Sequence, residues 1–346
     1  SNLKKKPSKK IIIKKSKFFF KDKDKTIVIF PISHLIFNHN KKNHTNEVKL
    51  NGLAFNSKFY FNIVKEFKDE KKINFNLKFP SANLSFKNSI TNIKNGGEKF
   101  KSLLTVNFLG SEVKTEFNYD KNLLKFLSKK SKISNNDLKY SGLINFKPFY
   151  LESDINIEKW NWVKILNNDY LISNLLSSDF AIHKNFNSKI KIKINSFFKN
   201  KIFKSGNFNI VTQNGKIKFD NTYFELKDFG NVIFTDCTLF NLQGLTIFKS
   251  NVLLNINKSK KFYNAFQVPI SNRKEIKKIN FVIKSNLSSN TTEILDIKID
   301  SKDKKGLLEN LNMIINNNEF KILENTSNWI EIKNFINELI KEINLV

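Results

Sequence analysis

The sequence predicts an all-β protein: a long, curved antiparallel β-meander whose inner face forms an open hydrophobic groove, capped by a few amphipathic helices. Three observations predict it. Apolar and polar residues alternate in run after run, which places every second side chain on one face of a strand. Turn-forming residues join the runs. Asn214-Gly215 is the strongest of these signals, because both residues tolerate the positive φ of a tight type I′ turn. Finally, strands of about six to nine residues recur every ten to fifteen or so, the spacing of a meander rather than of βαβ units.

Taken in order, residues 1–10 read as a solvated basic tail. Strands begin with Ile11 to Ile13, Lys17 to Phe20 and Thr26 to Phe30, and a polar loop follows from Asn38 to Asn46. Val48 to Phe55 and Lys58 to Ile63 form a hairpin-like pair. Ile73-Asn74-Phe75-Asn76-Leu77-Lys78-Phe79 alternates cleanly, and Pro80 ends it because proline cannot donate to a ladder. Leu84 to Phe86 continues the pattern, Asn95-Gly96-Gly97 reads as a turn, and Leu103 to Phe108 pairs with Val113 to Tyr119.

Two stretches of this half read as helices. Lys121 to Lys130 gathers Leu123, Leu124, Phe126 and Leu127, and Glu158 to Ser177 carries a Trp160–Leu175 stripe at three- and four-residue spacing. Lys189 to Ile194 then alternates lysine with isoleucine, and Asn207 to Thr212 and Lys216 to Asp220 flank the Asn-Gly turn. Further strands are expected at Asn231 to Phe234, Leu253 to Ile256, Ile279 to Ile283 and Ile294 to Ile299. A helix over 332–344 repeats its apolar residues with a 3.6 period, and Leu307 to Ile315 suggests another. A boundary near residues 178–187 divides an amino-terminal groove segment, 11–180, from a carboxy-terminal one, 181–346.

Composition bounds the function. Hydrophobic residues make up 40% of the chain, which supports a core and argues against disorder. The net charge of +29 suggests anionic partners, yet Arg273 is the only arginine, and nucleic-acid readers lean on the planar bidentate arginine fork. Cys237 is the only cysteine, so no internal disulfide forms. No stretch reaches the roughly 18 apolar residues of a spanning helix, and the amino end is no signal peptide. The chain begins at Ser1 rather than methionine, so any membrane anchor is expected upstream.

Catalytic chemistry is hard to find, and the expectation is a protein that is not an enzyme. His34, His39 and His44 sit among lysines and asparagines with no tetrahedral ligand set, so no metal is expected, and His183 is alone. Asn95-Gly96-Gly97 lacks the spacing of a phosphate loop. Asp220, Glu225, Asp228 and Asp236 read as surface charge, and Cys237 as a small buried residue. No cofactor is implied.

The apolar face therefore carries the information. An open sheet covers such a face with a second sheet, with helices, by closure or with a ligand, and three or four modest helices are few for so many strands. The groove wall is expected at Phe75, Leu77, Phe79, Ile190, Ile192, Ile194, Phe208, Ile210, Ile217 and Phe219. Acyl chains suit it. At about 0.8 kcal/mol per buried methylene, a chain of about sixteen carbons gains on the order of 10 kcal/mol. Lysines on the outer face and rim would favour anionic headgroups and membrane surfaces in a salt-dependent way.

Gly206 to Ile210, Asn214 to Phe219 and Phe229 to Phe234 together resemble the carboxy-terminal part of the bacterial AsmA-like proteins related to TamB. So do Lys261 to Gln267 and Asn272 to Ile279, and Leu50 to Asn56 with Phe59 to Phe61 fits the family's strand–glycine–strand pattern. The resemblance implies a taco-shaped β-groove in the periplasm, held to the inner membrane by an amino-terminal helix. It also implies carriage of phospholipid toward the outer membrane, with envelope proteins as partners and no catalytic residues. The chain departs from the family in showing no anchor helix. Two rivals stay open: a basic nucleic-acid-associated protein, such as an organellar ribosomal component, and a structural β-sandwich with a closed core. Lysines opposite the phenylalanine face argue against a base-stacking platform, which needs both on one face.

Overall fold

The computed structural model describes residues 9–345 except 23–24, 55, 67–71, 93–98, 109, 134, 161–184, 220, 243–244, 287–288, 290, 304 and 317–328. The protein is mainly β, with 21 strands and three α-helices among the described residues. They fall into two compact units, one reaching Ile155 and the other holding 156–160 and the described residues from Asn185 onward.

In the first unit the strands are β1 (Lys9–Asp22), β2 (Lys25–Asn40), β3 (Thr45–Ala54), β4 (Ser57–Glu66) and β5 (Lys72–Phe79). They continue as β6 (Leu84–Asn92), β7 (Lys99–Phe108), β8 (Ser111–Asp120), β9 (Leu123–Ser128), β10 (Ser131–Ile133), β11 (Asn136–Phe146) and β12 (Phe149–Ile157). From β1 to β9 each strand pairs antiparallel with the next. β11 then pairs with β9, and short β10 bridges β8 to β11. Pro80 ends β5 as expected and opens a 3-10 turn over Pro80–Ala82.

Several expectations need correction or placement. The helix read over Lys121–Lys130 is a strand. Lys121 takes φ 53° and closes a tight turn, after which Leu124 and Phe126 face Tyr119 and Phe117 of β8 while Leu127 is left exposed. That exposed leucine mimicked a helical stripe. The polar loop at Asn38–Asn46 shrinks to residues 41–44, because β2 and β3 run into it. The helix expected over 158–177 lies mostly outside the described residues, as do His183 and the Asn95-Gly96-Gly97 turn. Of its start, Trp160 is not helical and forms a parallel bridge with Phe197. The basic tail is outside as far as residue 8, and Lys9 and Lys10 already belong to β1.

The second unit runs β13 (Asn187–Ile194), β14 (Phe203–Gln213), β15 (Lys216–Lys218), β16 (Thr222–Leu226) and β17 (Gly230–Leu242). β18 (Leu245–Ile256), β19 (Lys278–Asn286), β20 (Thr291–Ile299) and β21 (Lys302–Asp303) follow. Short β15 and β16 share the place between β14 and β17, and every other pairing is with the next strand in the chain. The hairpin at Asn214-Gly215 has the foreseen geometry. Both residues sit at positive φ, 52° and 74°, and Gln213 faces Lys216 across the turn.

Helices α1 (Ser259–Phe266), α2 (Leu308–Asn316) and α3 (Trp329–Leu345) all belong to this unit. They close the sheet's apolar face at one end. Phe262 and Phe266 of α1, Leu311 and Ile315 of α2, and Leu339 and Ile340 of α3 join Leu254, Ile279 and Ile297 in the main core. The α2 helix is also clipped to the sheet. Asn312 Nδ2 donates to Ile294 O (3.0 Å) while its Oδ1 accepts from Ile294 N–H (2.7 Å), as a neighbouring strand would. Asn312→Ala leaves both backbone groups without their partner. It is expected to lower unfolding free energy by about 1–3 kcal/mol in urea denaturation.

Candidate functional site

In the first unit the registers assemble one apolar face. Phe61 faces Leu77, Leu77 faces Phe86, Phe86 faces Val106 and Val106 faces Val113, while Ile63 faces Phe75 in the adjoining row. Ring contacts run along it: Phe61–Phe75 at 6.4 Å, Phe117–Phe126 at 6.2 Å and Phe126–Tyr140 at 6.3 Å. Among the described residues no α-helix covers this face, and Phe61, Phe75, Leu77, Phe86 and Val106 are only half-buried. Among the described residues, the buried apolar side chains of this unit gather chiefly at one end, where Ile32, Ala54, Phe59, Phe79 and Ala82 cluster, with Leu138 buried separately.

In the second unit Ile190 faces Ile210, Ile192 faces Phe208, and Ile194 faces Gly206. Gly206 has a reason here: a Cβ would meet Phe224 at 3.0 Å and Phe197 at 3.4 Å. Phe224 fills that space and gathers the rings around it. Phe208 stands edge-on at 4.9 Å, Phe203 lies at 5.1 Å, and Phe234 at 5.9 Å. The sheet beyond the helices thus keeps a half-buried strip of Ile190, Ile192, Phe208, Ile210 and Phe234.

The ten residues expected in the groove wall divide by accessibility. Phe75, Leu77, Ile190, Ile192, Phe208, Ile210 and Phe219 are half-buried and present part of their surface. Phe79, Ile194 and Ile217 are buried, and Ile194 retains only 1% of its surface. Phe75, Leu77 and Phe79 share one face of the first unit. Ile190, Ile192 and Ile194 share a face with Ile210 and Phe208 in the second, and Ile217 adjoins it through Thr212. On the other side of β13, Lys189, Lys191 and Lys193 are exposed.

The polar candidates form ordinary surface contacts. Glu225 accepts from Lys204 Nζ (2.8 Å) and Ser205 Oγ (2.9 Å), and these bonds hold its carboxyl below the usual range. Asp228 pairs with Lys261 at 3.5 Å, and Asp236, in the β17 bulge, accepts from Asn251 Nδ2 at 2.7 Å. Asp220 lies outside the described residues. Cys237 is buried. The three histidines do not converge: His34 pairs in register with Asn51, His39 bonds Asn46 Oδ1 at 2.7 Å, and His44 sits in the turn at φ 50°. Among the described residues no group of three His, Cys, Asp or Glu is placed to hold a metal, and no helix is long and apolar enough to cross a membrane.

Sequence reasoning missed α1. Its signal was Phe262 and Phe266 at i and i+4, flanked by lysines, but eight residues are too few for the periodicity to stand out. It also missed the second face of β4–β7, where Asn62, Asn74, Asn76 and Lys87 edge a cavity of about 410 Å³. Compared with known proteins, the chain matches no family model and no curated sequence.

Proposed function

We propose that the protein is a non-enzymatic lipid carrier that shelters phospholipid acyl chains along the apolar faces of its two meanders. The observation that carries this reading is the half-buried, aromatic-rich strip in each unit that no described helix covers. Monomeric soluble proteins rarely leave large contiguous apolar patches without a partner, and an acyl chain needs only a continuous apolar wall. The resemblance to the AsmA-like proteins supports the same reading and with it a periplasmic place, an inner-membrane anchor supplied upstream and a role in outer-membrane biogenesis. Lysines on the opposite face would draw the protein to anionic membrane surfaces.

Native mass spectrometry with lipid extraction, on protein purified from a bacterial host, tests the proposal. The expected result is phospholipid at defined stoichiometry. A lipid-free, folded protein that takes up no phospholipid from vesicles overturns it. Retention of nucleic acid at about 0.5 M salt, where loose phosphate contacts are screened, would favour the nucleic-acid rival instead.

A further inference from the structure

The first and last long strands end their sheets differently. The free side of β20 is occupied: β21 pairs with Lys298 and Ile299, and Asn312 takes both backbone groups of Ile294. Among the described residues β1 pairs only with β2, so its other side is open along 14 residues. A row of unpaired N–H and C=O groups of that length is a template for another strand. The side chains along it are apolar on both faces. Ile11, Ile12, Ile13, Phe18 and Phe19 are 44–54% exposed.

The two faces exchange partway along β1. Ile13 pairs with Leu35, while Ser16 and Phe18 pair with Ile32 and Phe30, and these three partners all belong to or pack against the Ile32–Phe59–Phe79 cluster. Ile13, Ser16 and Phe18 therefore share the apolar face, which strict alternation forbids. Lys15, at φ 51°, makes the change. Its effect is a self-complementary strand. Laid antiparallel on a second copy, with a twofold axis between Lys15 and Ser16, Ile13 meets Phe18 on the apolar face. Ile12 meets Phe19 on the opposite face, and Ile11 falls opposite Phe20. A shift of two residues either way sets Ile12 against Lys17 or Lys21 instead.

We propose that two copies of the chain join by their β1 edges into an antiparallel, isologous dimer. An axis normal to the sheet keeps both apolar faces on one side, so that face runs on from one copy's first unit into the other's. Pairs of aromatic with β-branched residues are among the stabilising cross-strand contacts. Charge opposes them: β1 carries six lysines and one aspartate, and the register sets Lys14 against Lys17 and Lys10 against Lys21. Salt therefore strengthens this dimer, whereas it weakens the docking of an acidic foreign strand. The inference stands on the strand edge and not on the lipid reading. A lipid-free dimer upholds it alone, and a lipid-loaded monomer upholds only the other.

Sedimentation velocity of the whole chain over a concentration series, at about 0.05 M and about 0.5 M salt, tests the dimer. A monomer–dimer equilibrium that tightens with salt is expected. Ile12→Lys, at a position already exposed, should weaken it about tenfold or more, because the twofold axis repeats each lost pair. Crosslinking reads the register. Chains carrying Ile12→Cys and Phe19→Cys, mixed and treated with a short bismaleimide, are expected to join to each other. Neither joins to its own kind, since like positions of the two copies lie about 23 Å apart along the strands, and Cys237 is buried. A chain that stays monomeric at both salt concentrations overturns the inference. So does a dimer that Ile12→Lys leaves unchanged, or one crosslinked in another register. Uptake of a synthetic peptide alternating glutamate and valine by a monomeric chain, lost as salt rises, assigns the edge to a foreign acidic strand and equally overturns it.

Discussion

Substituting Ile192 and Phe219 together by aspartate is expected to strip co-purifying phospholipid from the protein, lowering its stoichiometry about tenfold or more, while circular dichroism stays native. Both side chains are half-buried and clear of the helical core, Ile192 on the apolar side of β13 and Phe219 just after β15, so neither is a keystone of packing. Placed against an acyl chain, each carboxylate would be desolvated without a partner, which costs several kcal/mol. Each 1.4 kcal/mol is about a tenfold loss. The matched control is Lys191→Ala and Lys193→Ala on the exposed side of β13, which should leave lipid content unchanged. Loss of lipid in the control, or its retention in the aspartate pair, would separate charge attraction from a true apolar wall and count against the latter.

Phe262→Ala is expected to cost about 3–5 kcal/mol, the largest stability loss we anticipate from a single change. Phe262 keeps 1% of its surface and touches the rings of Phe266 (4.9 Å), Tyr263 (5.6 Å) and Phe229 (5.8 Å). Truncation leaves a cavity where α1 meets the sheet, and a domain's whole stability is only about 5–15 kcal/mol. Denaturant titration should show an early transition from the second unit. Phe262→Leu, which keeps most of the volume, should lose far less. Equal losses in the two variants would mean that the ring's packing is not what matters.

Much of the fold was legible because strands that keep one apolar side announce it with period two. Ile73 to Phe79, Lys189 to Ile194 and the Asn214-Gly215 hairpin read directly from the residues. The strand at Leu123–Ser128 did not, since Leu127 breaks the alternation by standing exposed opposite Phe126's side, and its run of leucines fits a helical face equally well. Accessibility was not legible either. Ile192 and Ile194 are identical in pattern, yet Ile194 is buried and Ile192 is half-buried; Ile194 faces Gly206, beside which the rings of Phe224 and Phe197 lie, a juxtaposition only the register sets. The Asn62/Asn76 cavity escaped for the same reason: polar residues on the polar side look unremarkable until register sets them side by side.

The pairing of each strand chiefly with its neighbours in the chain has a kinetic and evolutionary consequence. Contacts that are close in sequence cost little loop-closure entropy, so hairpins can zip up in order as the chain leaves the ribosome. Stability in such arrays is nearly a sum of local terms. A hairpin inserted or deleted whole preserves the up-and-down direction of every later strand and the assignment of its two sides. The length of a sheet built this way is therefore an adjustable quantity, set by how many hairpins the gene encodes.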